Sequence, residues 1–593
     1  ERVMALWSES RGEYLAAELA EWIALLDAGS VRTITPKQRE ELLQQPHEAG
    51  EVMAVSISDN PLAMAWSLLA ASQLRTAMRI GSAVVVLAVA AGATLCGVLL
   101  QTGAIRALGL PGMMLARDVT GQDIVLENSG TEWFSTWYQV GTGLGPQYLV
   151  CQLPWTYYYA WIDNCNRVLQ ITGEDPTDAD LRSGAGIAYT MRAFFYMDLA
   201  QMFQYTYVGH EQEGTVPIVT EKTTPTELTN NPRATNEAMW AFILEDLDKA
   251  EKLIAGYKRS DKYTPDQSVV YGLKARAYLV MENWQQAEYY AKLAQSGYSI
   301  MTENEYLDRL TAFNTPNNSW MMGMTYLSTD DAILQNDADT NWGSQMYLEV
   351  STNGYASQYG VPKRIDAHLY ETIPATDFRK KCFIDPSLDG MEAADRTAAL
   401  AAYTDYPELI DQAVDASTAK TYGCLSLKFR AAGGEAGRTN GYLGMCGAVP
   451  IMRVEEMYLI EAEAAGMQSE ARGIELLTKF AKLRDPEYTY NSLMSFRDNV
   501  WWQRRVEFWG EGLSMYDIKR LNKGIVRSYA GTNHPAGYRY NTDTVPYWMN
   551  FCIVQSEVNY NYSISDYRAG GKSTNMNNPT PMQPDGDSPE HVW

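Results

Sequence analysis

The chain has 593 residues, 46% of them hydrophobic and 20% charged, so it is long enough for more than one domain or for one large helical array. A net charge of −24 argues against a nucleic-acid binder, because neutralising phosphates needs clustered Lys and Arg. The 38 Tyr, 16 Trp and 13 Phe suit a neutral polar ligand such as a sugar, which stacks on flat rings with polar edges.

The first segment, residues 1–79, reads as small and helical. Tyr14–Leu43, "YLAAELAEWIALLDAGSVRTITPKQREELL", has a helical period broken at Gly29–Ser30. It resembles the cytoplasmic head of FecR-like anti-sigma regulators, which place a short helical domain before one membrane span. Residues 80–100 follow, Ile80–Leu100, with 21 residues and no charge. At a rise of about 1.5 Å per residue this stretch is long enough to span a hydrocarbon core. Arg75 and Arg79 would then leave the preceding segment in the cytoplasm. A buried core helix is the plainer alternative. A third reading is a lipoprotein signal peptide from Met78 to Cys96, for which Leu95 is too large.

From residue 104 the composition shifts to Tyr, Trp and recurring helical periods. "WTYYYAWIDNCN" (Trp155–Asn166) follows helical spacing at Trp155, Tyr159 and Ile162 and reads as core. Ala185–Gln204 is helical. So is Asn231–Ile254, with Thr235 as N-cap and Trp240, Ile243, Leu244, Leu247 and Ala250 on its buried side. Gln267–Ile300 is the clearest unit. Ala275, Tyr278 and Leu279 form one stripe, a turn falls at Glu282–Asn283, and Ala287, Tyr290, Ala291 and Ala294 form the next. Small residues at Ala275, Ala287 and Ala291 allow two helices to approach closely, as in a tetratricopeptide-like hairpin. Val449–Met467 reads as one more helix, with Val454, Met457, Tyr458 and Ala462 on one face. Between these lie Thr311–Pro362 and Asp385–Gly447, rich in Gly, Asn and Thr and too long for simple connectors. They predict a second, irregular layer, where binding sites tend to sit. Residues 581–593 have the composition of a mobile tail.

"WWQRRVEFWGEGLSMYDIKRLNKG" (Trp501–Gly524) combines aromatics, paired arginines and a Gly-Glu-Gly break. Arg504 and Glu507 are spaced to pair on one helix face, and Gly510 and Gly512 can take positive φ where that helix ends. Asp517 lies three residues before Arg520. The stretch predicts a structural joint rather than a catalytic cluster.

Five motifs now stand in order: "RAFFYMDLAQMFQ" with "VPIVTE" (Arg192–Glu221), "PRATNEAMWAFILEDLDKA" (Pro232–Ala250), "MRVEEMYLIEAEA" (Met452–Ala464), the Trp501–Gly524 joint, and "FCIVQSEVNYNYSI" (Phe551–Ile564). Together they resemble the SusD/RagB family over residues 104–580. The resemblance implies a mainly α fold of tetratricopeptide-like helical hairpins with a loop-rich ligand-binding layer. It implies non-catalytic binding of a glycan, or less often a peptide, by a membrane-associated lipoprotein facing outward on the bacterial outer membrane. It also implies delivery to a SusC-like TonB-dependent transporter. Leu513–Ser514 departs from the family's usual His-Arg at that place. The amino end departs too. Relatives carry a lipidated Cys and a helical segment before the part matching "GLPGMMLARDVTGQDIVLE", whereas here a regulator-like membrane segment precedes it, the pattern of a fused or wrongly joined piece.

Expected ligand contacts are Arg117, Asp118, Asp123, Trp133 and Trp137, from the stretch where relatives often hold ligand, and Trp320 and Trp342 in loop-rich sequence. Against this, Trp133 and Trp137, four apart, have the spacing of core residues. No metal and no cofactor are expected. Asp337, Asp339 and Asn341 imitate a calcium loop, but Gly343 is one place late and the twelfth position holds no Glu. Gly141–Pro146 lacks the Lys-Ser/Thr of a phosphate loop, no Cys pair has CxxC spacing, and no HExxH or GxSxG occurs. Three rival functions remain at this stage: peptide uptake on the same fold, a fused membrane sensor, and an enzyme with a paired-carboxylate site.

Overall fold

The computed structural model describes residues 109–139, 145–334 and 341–565, besides a two-residue strand pair of Leu6–Trp7 with Val52–Met53. The FecR-like stretch outside those four residues, the candidate span Ile80–Leu100, Asp337 and Asp339 of the calcium-like loop, and the 581–593 tail lie outside the described residues. No helix among the described residues is long and apolar enough to cross a membrane.

The main helices are α1 (Gly109–Val119), α2 (Leu149–Thr172), α3 (Ala179–Phe203), α4 (Asn236–Leu253), α5 (Gln267–Val280), α6 (Trp284–Ala294), α7 (Val454–Gln468), α8 (Glu470–Ala481), α9 (Phe496–Glu507) and α10 (Ser514–Arg520). Each of α2 to α8 packs against the next. The array is therefore interrupted in sequence between α6 and α7 but continuous in space. Its starts are set locally: Asp178, Thr235, Asp266, Asn283 and Ser495 each accept a hydrogen bond from a first-turn N–H. The α5–α6 hairpin matches expectation, with Glu282 in the left-handed region at φ 54° and Ala275, Ala287 and Ala291 fully buried at the contact. The fold is mainly α, as expected.

One expected helix is shorter than its apolar run. Ala448–Arg453 is a strand, β6, and only Val454 onward is helical. The strand pairs antiparallel with β4 (Trp320–Thr325), Trp320 opposite Arg453 and Thr325 opposite Ala448. Pro450 explains the break, since proline is excluded from a helix interior but tolerated in a two-stranded ribbon. The described residues before it, 295–334 and 341–447, form the irregular layer, with a small core of its own that includes Leu348, Ile384, Ile410 and Leu425. Two shorter pairs complete the strands: β2 (Gly214–Pro217) with β3 (Arg233–Thr235), and β1 (Ile124–Val125) with β5 (Arg364–Ile365), which ties the chain after α1 to that layer.

The joint after α9 is built on buried charge. Glu507 accepts from Arg453 Nη1 and Arg484 Nη2 at 3.0 Å on one oxygen, and from Arg484 Nε at 3.0 Å and Arg379 Nη1 at 3.2 Å on the other. Glu511 accepts from Arg453 Nε at 2.8 Å and Lys428 Nζ at 2.6 Å. The expected Arg504–Glu507 pair does not form. Arg504 instead donates to Asp517 at 2.7 Å, and Arg520 donates to both Asp517 (2.8 Å) and Glu463 (2.6 Å). Gly510 and Gly512 take φ +76° and +80°, as the break requires.

Removing one member of such a buried set leaves uncompensated charge. Glu507→Gln is expected to cost about 3–5 kcal/mol in chemical denaturation, whereas Glu303→Gln, which breaks the exposed pair with Lys381, should cost about 0–1 kcal/mol. Burial disfavours the Glu507 anion, yet Arg484, Arg453 and Arg379 together hold its carboxyl well below the usual range. A carboxyl lowered on folding stabilises fully at neutral pH and less as pH falls below its unfolded value of about 4.3. Wild-type stability should therefore drop from pH 5 to pH 3, and more steeply than that of Glu507→Gln.

Candidate functional site

The structure separates the expected contact residues into frame and surface. Arg117, Asp118 and Asp123 are 3%, 2% and 4% exposed. Arg117 donates to Gly512 O at 3.0 Å and to Asp198 at 2.9 Å. Asp118 accepts the backbone N–H of Gly512 at 2.7 Å and of Ser514 at 3.1 Å. Asp123 receives Arg505 Nε at 3.0 Å on each oxygen, and its carbonyl receives Trp509 Nε1 at 2.8 Å. These three side chains fasten the α1 region to the joint. They are held inside the frame rather than on an open face.

Trp137 packs in the core beside Phe134. Trp320 opens β4, Trp342 begins the short helix Trp342–Met346, and both are 0% exposed. A ring with no exposed face offers no surface for stacking, so loop-rich sequence was a poor guide at these two positions. Asn341 caps the Trp342 helix by accepting from Ser344 N at 3.1 Å.

Trp133 alone of the expected set is partly exposed, and it does not stand alone. Its ring lies 4.7 Å from that of Tyr355 at 60°, and Tyr355 lies 4.9 Å from Tyr359 at 40°. Tyr355 is half-buried and Tyr359 is 44% exposed. The three rings make a continuous angled run at the surface, flanked by exposed Asn128, Thr131 and Gln358. The two tyrosines were not singled out from the sequence, although they fall in the loop region Thr311–Pro362. Nothing local marks them, because they are joined to Trp133 only by the tertiary fold.

Hydrogen bonds, some buried and some at the surface, hold the run together. Glu132, next to Trp133, accepts from Phe134 N at 3.0 Å and from Lys363 Nζ at 2.8 Å. Thr131 Oγ1 donates to Tyr359 O at 3.2 Å. On the other segment Tyr355 N donates to Ser344 Oγ at 3.1 Å, Val361 N to Tyr355 O at 3.1 Å, and Asn353 N to Gln358 Oε1 at 2.9 Å. Gly360 closes the turn at φ +73°, where a Cβ would sit 2.1 Å from Ala416 O.

The fold and this site can be set beside known proteins. A family profile described as "Starch-binding associating with outer membrane" matches residues 115–279, and the SusD family profile matches residues 405–567. The chain belongs to the SusD/RagB family. Among solved structures, a SusD-like carbohydrate binding protein from Bacteroides vulgatus is 24% identical, with a TM-score of 0.59 over 77% of this chain and 92% of its own. A SusD superfamily protein from Bacteroides thetaiotaomicron is 18% identical, with a TM-score of 0.58 over 79% of this chain and 99% of its own. A laminarin-binding SusD-like protein is 16% identical, with a TM-score of 0.53 over 78% and 96%. At these identities the likeness is one of fold. No curated protein matches the chain.

Because Gly360 combines positive φ with a backbone neighbour inside contact distance, Gly360→Ala should destabilise by about 1–3 kcal/mol. A thermal melt should show the loss, and a melt within experimental error of wild type would contradict the closure described here.

Proposed function

We propose that this SusD/RagB protein is a non-catalytic glycan-binding protein of the cell surface that hands its ligand to a SusC-like TonB-dependent transporter in the outer membrane. The carrying observation is the Trp133–Tyr355–Tyr359 run. Partly exposed rings set at angles to one another suit the C–H faces of successive sugar units, and the flanking Asn, Thr and Gln side chains suit their hydroxyls. The chain's charge of −24 favours a neutral glycan over an acidic polymer at this face. Family membership and the laminarin-binding neighbour support a glycan as the ligand class. The carboxylate beside the platform, Glu132, is buried and paired with Lys363, which favours capture over hydrolysis.

Binding of this kind is carried by a few rings. Trp133→Ala is expected to weaken glycan binding by about 1–2 kcal/mol, roughly 5- to 30-fold, with Tyr355→Ala and Tyr359→Ala each smaller. Native gels containing a polysaccharide panel read this directly. Retardation of the wild type by one glycan, lost in a folded Trp133→Ala and kept in a folded though less stable Trp320→Phe, is the expected result. A wild type retarded by none of them would overturn the glycan reading and direct attention to peptides.

A further inference from the structure

The loop joining α4 to α5 and the turn after α6 enclose an open cleft of about 460 Å³. Its charged walls are Lys258, Arg259, Lys262 and Asp266, three cations against one carboxylate in a chain whose net charge is −24. That imbalance is not offset from within the cleft. Asp266 is paired with Arg259 Nε at 3.0 Å and also caps α5 by accepting from Ser268 N and Val269 N. Arg259 is committed as well, donating to Thr264 O at 3.0 Å, Met321 O at 2.6 Å and the Tyr298 hydroxyl at 2.6 Å. Arg259 and Asp266 therefore shape the wall, and the lysines are left over.

Lys262 is partly buried, with its ammonium 4.5 Å above the Tyr298 ring. Among the described residues neither Lys262 nor Lys258 has a carboxylate within ion-pair distance. Burial first, and then the Arg259 guanidinium, lower the pKa of the Lys262 ammonium. The Asp266 carboxylate offsets this only in part, and an ammonium that is partly desolvated, crowded by a like charge and without a carboxylate at ion-pair distance is destabilising by itself. An anion in the cleft would relieve it. The Tyr298 ring and Ser296 add a stacking face and a hydroxyl to the same wall.

We propose that this cleft is a second ligand site, which takes a sugar unit bearing one oxyanion, carboxylate or sulfate, with Lys262 as its main cation and Lys258 as its second. It is built from other segments than the Trp133 platform and does not rest on what that platform binds. The volume is that of a small-ligand cleft, which suits a mono- or disaccharide. A screening length of about 8 Å at physiological salt lets the local excess of positive charge prevail over the distant acidic surface for a ligand of that size.

Calorimetric titration at physiological salt tests this with a galacturonic acid disaccharide, galactose 6-sulfate, and their neutral counterparts. The wild type should bind at least one anionic probe and neither neutral one, and the two anions tell carboxylate from sulfate. Lys262→Met keeps the aliphatic stem over Tyr298 and should weaken binding roughly tenfold or more. Lys258→Gln should weaken it less, and Trp133→Ala should leave it unchanged. Equal binding by wild type and a folded Lys262→Met would overturn the proposal. So would equal binding of a neutral counterpart, or no heat from either anion at about 10 mM. Should Lys262→Met fail to fold, Lys258→Gln and the neutral counterparts still decide the matter.

Discussion

Glu507 is the point on which the molecule converges. Its two oxygens accept from guanidiniums of three separate regions: Arg453 at the end of β6, Arg484 after α8, and Arg379 in the irregular layer. A carboxylate this deeply buried is tolerated only when fully paired, because the desolvation cost of each ion is several kcal/mol. The three arginines share it with other carboxylates, Arg453 with Glu455 and Glu511, Arg484 with Glu455, and Arg379 with Asp377. The arrangement thus locks the end of the helical array, the ribbon and the irregular layer into one relative position, by constraint as much as by net attraction.

From that knot a series of buried ion pairs leads outward to the candidate site. Arg505, on the same helix as Glu507, holds Asp123. Asp123 precedes β1, which pairs with β5. Beyond β1, Glu127 meets Arg364 of β5, and Glu132 meets Lys363. Trp133 comes next, set against Tyr355. Of the acidic residues of this stretch, Asp123 is thus matched to Arg505 of α9, and Glu127 and Glu132 to Arg364 and Lys363 at the facing strand. They place an aromatic side chain at the surface through a frame that has little freedom to move. Preorganisation matters for a shallow aromatic platform, since each ring contributes only about 1 kcal/mol and would be offset by the entropy of ordering loose loops.

The tryptophans divide in the same way. Trp320 and Trp342 stabilise the core by burying large rings, each removing on the order of 150–250 Å² from water. Trp133 and its two tyrosines leave area exposed, which is unfavourable in water and is recovered when a ligand covers it. The Lys262 cleft poses the electrostatic counterpart: among the described residues its ammonium has no carboxylate at ion-pair distance, whereas Arg259 beside it is paired with Asp266.

The sequence by itself determined the helices α2 to α7, the Thr235 cap, the α5–α6 hairpin and the character of the Trp501–Gly524 joint. It also carried the family motifs. All of these rest on relations within a few residues, such as apolar stripes at i, i+3 and i+4, a capping side chain, or a glycine at positive φ. The tertiary structure alone decided that Glu507 pairs with Arg453, Arg484 and Arg379 rather than Arg504, that Val449 lies in a strand, that Trp320 and Trp342 are interior, and that Tyr355 and Tyr359 complete the surface run begun by Trp133. Each of those outcomes depends on which distant segment arrives alongside. Burial and ion pairing are properties of a neighbourhood, and a linear sequence gives only half of each neighbour pair at a time.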